Sequence, residues 1–384
     1  MKKLLLLLTL LLILPSLGIA QVKVKIIVKS LSIKSGQQIY ISGNQSTFGN
    51  WNPMNVKLDR FNDSVWTKEF SFEKNTLLEF KFTKGSWDTE ALDEEGNIPE
   101  NYSFTLQTDT TISIRIPNWK DSRTNLQGQV TGNVVYLKNF KGRNVLPRDI
   151  VVWLPPGYDS VGSKYYPVLY MNDGQNIFDP ATSSFGVDWQ LDETVDGLIR
   201  NHKIHPIIIV GIYNSYKRGR EYADTKDGED YLNFIIRELK PFIDKSYKTL
   251  PDKENTAIGG SSLGGLISLI AVWKYPDVFT KAACLSPALN VDEYNYVSTV
   301  DGYKGARKFV KIYIDIGGVG LENELKTGYD EMIEALIKQG FKVGSDILAI
   351  TDPSSEHNER AWAKRSWRFL EFFFGNDQRV LNID

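Results

Sequence analysis

The sequence predicts a small all-β sandwich domain followed by a larger α/β domain with a mostly parallel sheet. Apolar and polar residues alternate with a period of two between Gln21 and about Lys120, whereas beyond residue 133 apolar runs are interleaved with helix-like segments. The stretch between them, residues 121–132, is polar and contains glycine. A chain of 384 residues is also longer than one average domain. We therefore expect domains at residues 21–120 and 133–384, joined by a linker at 121–132.

The first domain is expected to contain short antiparallel strands. Its alternating segments lie at residues 22–28, 38–42, 65–70, 77–82 and 111–116. Turn-forming clusters such as Ser42-Gly43-Asn44 separate them, and no segment has helical periodicity. Short strands with frequent turns are typical of a β-sandwich.

The second domain is expected to have a buried sheet covered by helices. Its apolar strand candidates lie at residues 149–154, 167–171, 206–211, 255–258, 310–316 and 346–350. Helix candidates include residues 230–239 and 329–337. Continuous apolar strands that alternate with helices predict a mostly parallel sheet.

Residues 1–20 have the pattern of a secretory signal peptide. Met1-Lys2-Lys3 is charged, Leu4 to Leu14 is an apolar run, and small residues precede the expected cleavage after Ala20. The apolar run is short for a membrane span. We expect an exported protein, secreted or periplasmic, with no membrane span after cleavage.

Composition narrows the classes of partner. The net charge is −2, with no basic run beyond the first residues, which argues against a nucleic-acid partner. There is no cluster of histidine or cysteine with metal-ligand spacing, so we expect no metal and no cofactor. The single cysteine, Cys284, lies in an apolar run and is expected in the core. No feature of the sequence indicates an oligomeric state.

The segment Gly260-Ser261-Ser262-Leu263-Gly264 matches the pattern Gly-x-Ser-x-Gly. A strand candidate precedes it and an apolar helix candidate follows it. A serine in this context lies on a sharp turn between strand and helix, the arrangement called a nucleophile elbow. The sequence therefore predicts Ser262 as a nucleophile.

A serine nucleophile needs a general base, and the chain has three histidines. His202 and His205 precede a strand, at the edge of the sheet opposite to that expected for the site. His357 follows the last strand candidate, in the loop where the base belongs. We expect His357 to be the base.

The acid of such a triad should follow the strand at 310–316 and precede His357. Glu322 is the first carboxylate in the glycine-rich exit from that strand, and Asp315 and Asp330 are the alternatives. The backbone N–H groups of Leu263 and of Gly174 or Gln175 are expected to form an oxyanion hole.

Several motifs in the second domain resemble those of one esterase family. They include Tyr170 to Phe178, Gly259 to Gly265, Leu285-Ser286-Pro287 and Glu356 to Trp362. This family is related to esterase D, enterochelin esterase, and the feruloyl and acetylxylan esterases of carbohydrate esterase family one. The resemblance implies an α/β-hydrolase fold and a Ser-His-acid triad at Ser262, His357 and Glu322. Many relatives have His-Gly where this chain has Asp173-Gly174.

The first domain is similar to starch-binding modules of carbohydrate-binding family 20. The resemblance rests on Ser42 to Asn44, Phe48 to Trp51, Trp66, and Leu78 to Phe82 with Trp87 and Asn101. In that family two tryptophans stack on sugar rings, and Trp51 and Trp87 are the matching positions.

Together these features predict a secreted serine esterase that acts on acetyl or feruloyl esters of polysaccharides or oligosaccharides. One alternative is hydrolysis of a siderophore, another small soluble ester or a peptide, with Lys217-Arg218-Gly219-Arg220 as a cationic segment. Another alternative is a glycan-binding protein whose esterase domain is inert.

Overall fold

The structure is a computed structural model that describes residues 21–30, 33, 36–93, 98–122, 129–184, 186–291 and 294–376. Within these ranges the chain divides into two compact units: the first ends at Lys120, and the second begins at Asp121 and also includes residues 98 and 99. The expected signal peptide and part of the expected linker, residues 123–128, lie outside the described residues. In the described ranges, no helix combines the length and the apolar character that a membrane crossing requires.

The strands of the first unit are β1 Gln21–Lys29, β2 Tyr40–Gly43, β3 Val56–Lys57, β4 Asp59–Arg60, β5 Val65–Glu73, β6 Leu77–Thr83, β7 Ala91–Leu92, β8 Tyr102–Thr105, β9 Thr110–Arg115 and β10 Asn118–Trp119. They include two four-stranded sheets, with strand orders β4-β5-β1-β9 and β3-β2-β6-β8. The five alternating segments of the sequence coincide with β1, β2, β5, β6 and β9.

One strand pairing corrects the expected antiparallel arrangement. Strands β1 and β9 run parallel, with Val24 opposite Thr110 and Lys29 opposite Arg115. The other pairings in the two four-stranded sheets are antiparallel. Alternation of apolar residues determines which face of a strand is buried, but it carries no information about strand direction.

The two sheets of this unit share one core. The ring of Phe48 contacts Phe70 on β5 and Phe80 on β6, with centroids 4.9 and 5.3 Å apart. Trp66 and Trp119 are fully buried in the same unit. Edge-to-face packing of this kind adds to the free energy of burying the rings themselves.

The second unit is built on an eight-stranded sheet. Its strands are β11 Asn133–Phe140, β12 Arg148–Leu154, β13 Val168–Asn172, β14 Ile208–Ile212, β15 Thr256–Ser261, β16 Lys281–Leu285, β19 Lys311–Ile316 and β20 Ile347–Thr351. Their order in the sheet is β11-β12-β14-β13-β15-β16-β19-β20. Two short strands, β17 Asn290–Val291 and β18 Tyr294–Asn295, form a separate pair.

The sheet is mixed, which refines the expectation of a mostly parallel one. Strands β11 and β12 pair antiparallel, as do β12 and β14. The pairings from β14 through β13, β15, β16 and β19 to β20 are all parallel. All the strands expected from the sequence are present. Strand β16, which contains Cys284, is not among the strands that the sequence predicts; the sequence places Cys284 only in the core.

Helices cover this sheet. They are α1 Leu191–Arg200, α2 Arg218–Glu221, α3 Lys226–Phe234, α4 Lys240–Ser246, α5 Leu263–Lys274, α6 Tyr296–Asp301, α7 Leu321–Lys338 and α8 Glu359–Phe374. A π-helical turn at Ile235–Leu239 joins α3 to α4. Helix α5 is almost entirely buried, as an apolar helix behind a nucleophile elbow should be.

The parallel strands place their carboxyl ends at one edge of the sheet. Ser262 directly follows β15, Asp173 directly follows β13, and His357 lies between β20 and α8. In α/β sheets ligands bind at this edge, so the fold gathers the predicted site residues there.

Candidate active site

Ser262 lies on a sharp turn between β15 and α5. Its backbone angles are φ 55° and ψ −123°, a region that side-chain-bearing residues rarely adopt. Neighbouring glycines permit this turn, because a Cβ on Gly260 would come within 2.9 Å of the backbone of Gly264. Ser262 itself is half-buried, so the residue is not sealed in the core.

Backbone hydrogen bonds hold the strained serine in place. Its N–H donates to the carbonyl of Leu285 at 2.9 Å. Its carbonyl accepts from the N–H groups of Gly265, Leu266 and Ala288 at 3.0 to 3.2 Å. These four hydrogen bonds oppose relaxation of the backbone at Ser262. A strained conformation persists only where the surrounding structure holds it in this way.

His357 is hydrogen-bonded to Glu322. The distance from Nδ1 of His357 to Oε1 of Glu322 is 3.1 Å. The other carboxylate oxygen of Glu322 accepts from the N–H of Gly317 at 2.8 Å. Burial alone would raise the pKa of Glu322, but the hydrogen bonds from His357, Ser286 and Gly317 outweigh it and lower that pKa. The carboxylate therefore stays ionised beside the imidazole.

The structure distinguishes Glu322 from the other two acid candidates, because their carboxylates have partners other than His357. Asp315 is fully buried and accepts from Arg365, at 3.0 and 3.1 Å, and from the hydroxyl of Tyr313. Asp330 is exposed and pairs with Lys326. Glu322 lies in the first turn of α7, which begins at Leu321, and not in the preceding loop as expected.

The ring of His357 packs against Trp362. The two rings meet edge to face, with centroids 5.0 Å apart, and the indole N–H of Trp362 donates to the hydroxyl of Ser286 at 3.1 Å. His202 and His205 follow α1 and precede β14, at the amino-terminal edge of the sheet as expected. They are therefore not part of the site that contains His357.

The loop after β13 presents backbone N–H groups at the same edge. Asp173 has a left-handed conformation, and residues Gly174–Asn176 form a 3₁₀ turn. The first N–H groups of a helical turn have no acceptor within it, which leaves those of Gly174 and Gln175 free of partners inside the turn. Leu263 is the first residue of α5, so the same argument applies to its N–H. A Cβ on Gly174 would lie 2.3 Å from the carbonyl carbon of Gly211.

Asn172 links this loop to the elbow, a role that sequence reasoning missed. Its side-chain amide donates to the carbonyls of Gly259 and Gly264 and to the hydroxyl of Ser268, at 3.0 to 3.2 Å. Its side-chain oxygen accepts from Tyr231 at 2.6 Å. The signal was the polar residue at the end of an otherwise apolar strand.

One acidic group in the described ranges has the spacing of metal ligands: Asp188, Asp192 and Glu193, whose candidate ligand atoms all lie within 4.8 Å of one another. Burial, together with a hydrogen bond to Glu193, raises the pKa of Asp192 to about 9. The raised pKa favours the protonated form of Asp192, with Glu193 as the partner of its hydrogen bond.

In the first unit, Trp51 and Trp87 are half-buried, whereas Trp66 and Trp119 are fully buried in the core. Trp51 has a positive φ of 61°. The structure thus leaves part of each predicted sugar-stacking residue accessible.

Comparison with known proteins identifies the family. Residues 146–366 match the family model described as "Putative esterase", which covers more than half of the chain. Residues 21–113 match the model of a starch binding domain. The structure is similar to a solved structure of a ferulic acid esterase, with a TM-score of 0.52 and 20% sequence identity. The matched region covers 63% of this chain and 98% of that one. At this identity the likeness establishes the fold alone.

Two curated relatives are similar over part of their length. The chain is 30% identical over 197 residues to an endo-1,4-beta-xylanase/feruloyl esterase from Xylanibacter ruminicola, covering 50% of this chain and 25% of the relative. It is 28% identical over 149 residues to the ferri-bacillibactin esterase of Bacillus subtilis, covering 33% of this chain and 48% of that relative. The chain thus spans a quarter to a half of the length of these relatives. By the match over residues 146–366, it belongs to this esterase family, a family of carboxylic-ester hydrolases, and its second unit has an α/β-hydrolase-like fold.

Proposed function

We propose that the protein is a serine esterase in which Ser262, His357 and Glu322 form the catalytic triad. The observation that carries the proposal is the hydrogen bond between His357 and the buried Glu322, at the sheet edge where Ser262 occupies a strained turn. A carboxylate on Nδ1 holds the imidazole in the tautomer whose Nε2 accepts a proton.

The reaction proceeds through an acyl-enzyme. Nε2 of His357 takes the proton of the Ser262 hydroxyl as Oγ attacks the ester carbonyl, and Glu322 stabilises the imidazolium that forms. His357 then returns that proton to the leaving alcohol. In the second half, water attacks the acyl carbonyl with His357 again as base; the bond from the acyl group to Oγ of Ser262 breaks, His357 returns the proton to Oγ, and the carboxylic acid leaves.

The negative oxygen of each tetrahedral intermediate is bound by backbone N–H groups. Leu263 supplies one, and Gly174 or Gln175 supplies the other. Such donors stabilise the transition state more than the ground state, and loss of one lowers kcat by about 10²- to 10³-fold.

For the substrate, we propose acetyl or feruloyl esters of a polysaccharide or oligosaccharide. The match of the first unit to a starch binding domain supports a carbohydrate partner. The similarity to a relative named as both a xylanase and a feruloyl esterase supports an acyl ester on such a carbohydrate. Trp51 and Trp87 are the proposed sugar-stacking residues, and the apolar run before Ala20 supports export of the protein.

The charge pattern disfavours a siderophore ester as substrate. An anionic catecholate ligand would need free cations, and residues 217–220 were the candidate source. Arg218 instead pairs with Asp173 at 2.8 Å, and Arg220 pairs with Asp227 at 2.9 Å. Two of the three cations in this segment therefore already have an acidic partner.

Hydrolysis of p-nitrophenyl acetate, methyl ferulate and acetylated xylan by the protein and by Ser262→Ala tests the proposal. Ser298→Ala is a matched control, because Ser298 is exposed on α6. We expect the control to retain activity and Ser262→Ala to lose it on every substrate. A folded wild-type protein that hydrolyses none of the three would refute the proposal.

A further inference from the structure

Asp173 has a backbone conformation that needs an explanation. Its φ of 56° and ψ of 44° lie in the left-handed region, which aspartate tolerates better than most residues but does not prefer. It directly precedes Gly174 and Gln175, so its torsion angles set the direction in which their N–H groups point. Whatever fixes Asp173 therefore also fixes the second half of the proposed oxyanion hole.

The carboxylate of Asp173 is held by a bidentate ion pair. Nε of Arg218 donates to Oδ1 and Nη2 donates to Oδ2, both at 2.8 Å. The side-chain amide of Asn214 donates to Oδ1 at 2.7 Å. Asp173 is 5% exposed, and a paired guanidinium is what a carboxylate buried to that degree requires.

The backbone of Asp173 is held by the same segment. Its N–H donates to the hydroxyl of Tyr222 at 3.1 Å, and the guanidinium of Arg218 lies 5.1 Å from the centre of the Tyr222 ring. The backbone N–H of Asn214 donates to the side-chain oxygen of Gln175 at 3.2 Å. The segment from Asn214 to Tyr222 is thus hydrogen-bonded to Asp173 and to Gln175, the two residues that flank Gly174.

We propose that Arg218 is a positioning residue of the esterase: it locks Asp173 in the left-handed conformation and thereby orients the turn whose N–H group, from Gly174 or Gln175, is the second donor to the oxyanion. This role rests on the proposed function. Arg218 acts through Asp173 and forms no bond to the reacting atoms, so its loss weakens transition-state binding more than substrate binding.

The test compares Arg218→Ala, Arg218→Lys and Asp173→Asn with Arg307→Ala as matched control. Arg307 forms a comparable pair with Asp346 at 2.7 Å, and its side chain is 36% exposed against 30% for Arg218. Asp346 precedes β20, at the opposite edge of the sheet. For each variant, kcat and KM for p-nitrophenyl acetate are measured, with active sites counted by a fluorophosphonate and Tm recorded.

We expect kcat per titrated site to fall about tenfold to a hundredfold in Arg218→Ala and Asp173→Asn, less than loss of a whole donor causes, with KM within about twofold. Arg218→Lys should have a higher kcat than Arg218→Ala, because lysine keeps the positive charge. Its kcat should stay below that of the wild type, because lysine lacks the two parallel donors of the guanidinium. The control should match wild type. If Arg218→Ala does not fold, the lysine and asparagine variants decide the question.

Two results would overturn the proposal in distinguishable ways. A lower Tm with unchanged kcat per titrated site, or a change in KM alone, would show that Arg218 is only structural while the esterase function stands. A wild-type protein that neither hydrolyses the ester nor reacts with the fluorophosphonate would refute the proposed function, and the role of Arg218 with it.

Discussion

Replacement of Glu322 by glutamine should abolish most of the activity without disturbing the fold. The two oxygens of Glu322 face different partners: Oε2 accepts from the N–H of Gly317 at 2.8 Å, and Oε1 faces Nδ1 of His357 at 3.1 Å. If the glutamine turned its NH₂ toward Gly317, that group would face the backbone N–H of Gly317, and two donors would meet with no acceptor between them. Its oxygen will therefore stay on Gly317, and its NH₂ will point at His357.

This orientation stabilises the wrong tautomer of His357. Nδ1 becomes the acceptor, the proton moves to Nε2, and the imidazole no longer accepts the proton of Ser262. Replacement of a triad carboxylate by its amide lowers kcat by about 10⁴-fold, or about 5.5 kcal/mol of barrier at 25 °C. KM should change little, because Glu322 is fully buried and does not touch the substrate.

The assay is steady-state hydrolysis of p-nitrophenyl acetate, with thermal unfolding measured in parallel. Glu324→Gln is the matched control, since Glu324 lies in the same first turn of α7 but is exposed. A Glu322→Gln variant that keeps kcat within about tenfold of wild type would refute the assignment of Glu322 as the triad acid.

Three further predictions concern stability, packing and carbohydrate binding. Burial raises the pKa of Glu359 from 4.5 to about 7. Between these two pH values the folded state keeps Glu359 protonated whereas the unfolded state does not. The free energy of unfolding should therefore fall by about 3 kcal/mol as the pH rises from 4.5 to 7. Glu359→Gln should remove this part of the decline in denaturant titrations at pH 5 and pH 8, and an unchanged decline would contradict the burial argument. Gly174→Ala should lower kcat and Tm together, since its Cβ would overlap the backbone of Gly211; wild-type values for both would show that the loop moves aside at no cost. Trp51→Ala with Trp87→Ala should weaken retention on insoluble starch while kcat on p-nitrophenyl acetate stays constant, and undiminished retention would place the sugar elsewhere.

The part of the site that the sequence could predict is the part with a local pattern. Gly260 to Gly264, between a strand and an apolar helix, indicate the elbow from adjacent residues alone. His357 and Glu322 follow from chain order and from the rule that parallel strands end at one edge. The hydrogen bond between them supports that choice over Asp315, whose carboxylate is instead paired with Arg365 on α8.

The remaining features depend on contacts between segments far apart in the chain. The pair of Asp173 with Arg218 joins residues 45 positions apart, and Asn172 reaches Ser268 across 96 positions. The parallel pairing of β1 with β9 is of the same kind. The spacing and alternation of residues in the sequence show which residues are buried. They do not show which buried residues contact each other, so they carry no information about such partners.

The central claim is that Ser262 carries the acyl group. The most direct measurement is rapid mixing of the protein with p-nitrophenyl acetate, followed by acid quenching and mass spectrometry of the intact chain and its peptides. We expect a burst of p-nitrophenol that matches the enzyme concentration, and an added acetyl group on the peptide that contains Ser262. Hydrolysis without any acylated intermediate, or with the acetyl group on another residue and undiminished activity in Ser262→Ala, would contradict the account.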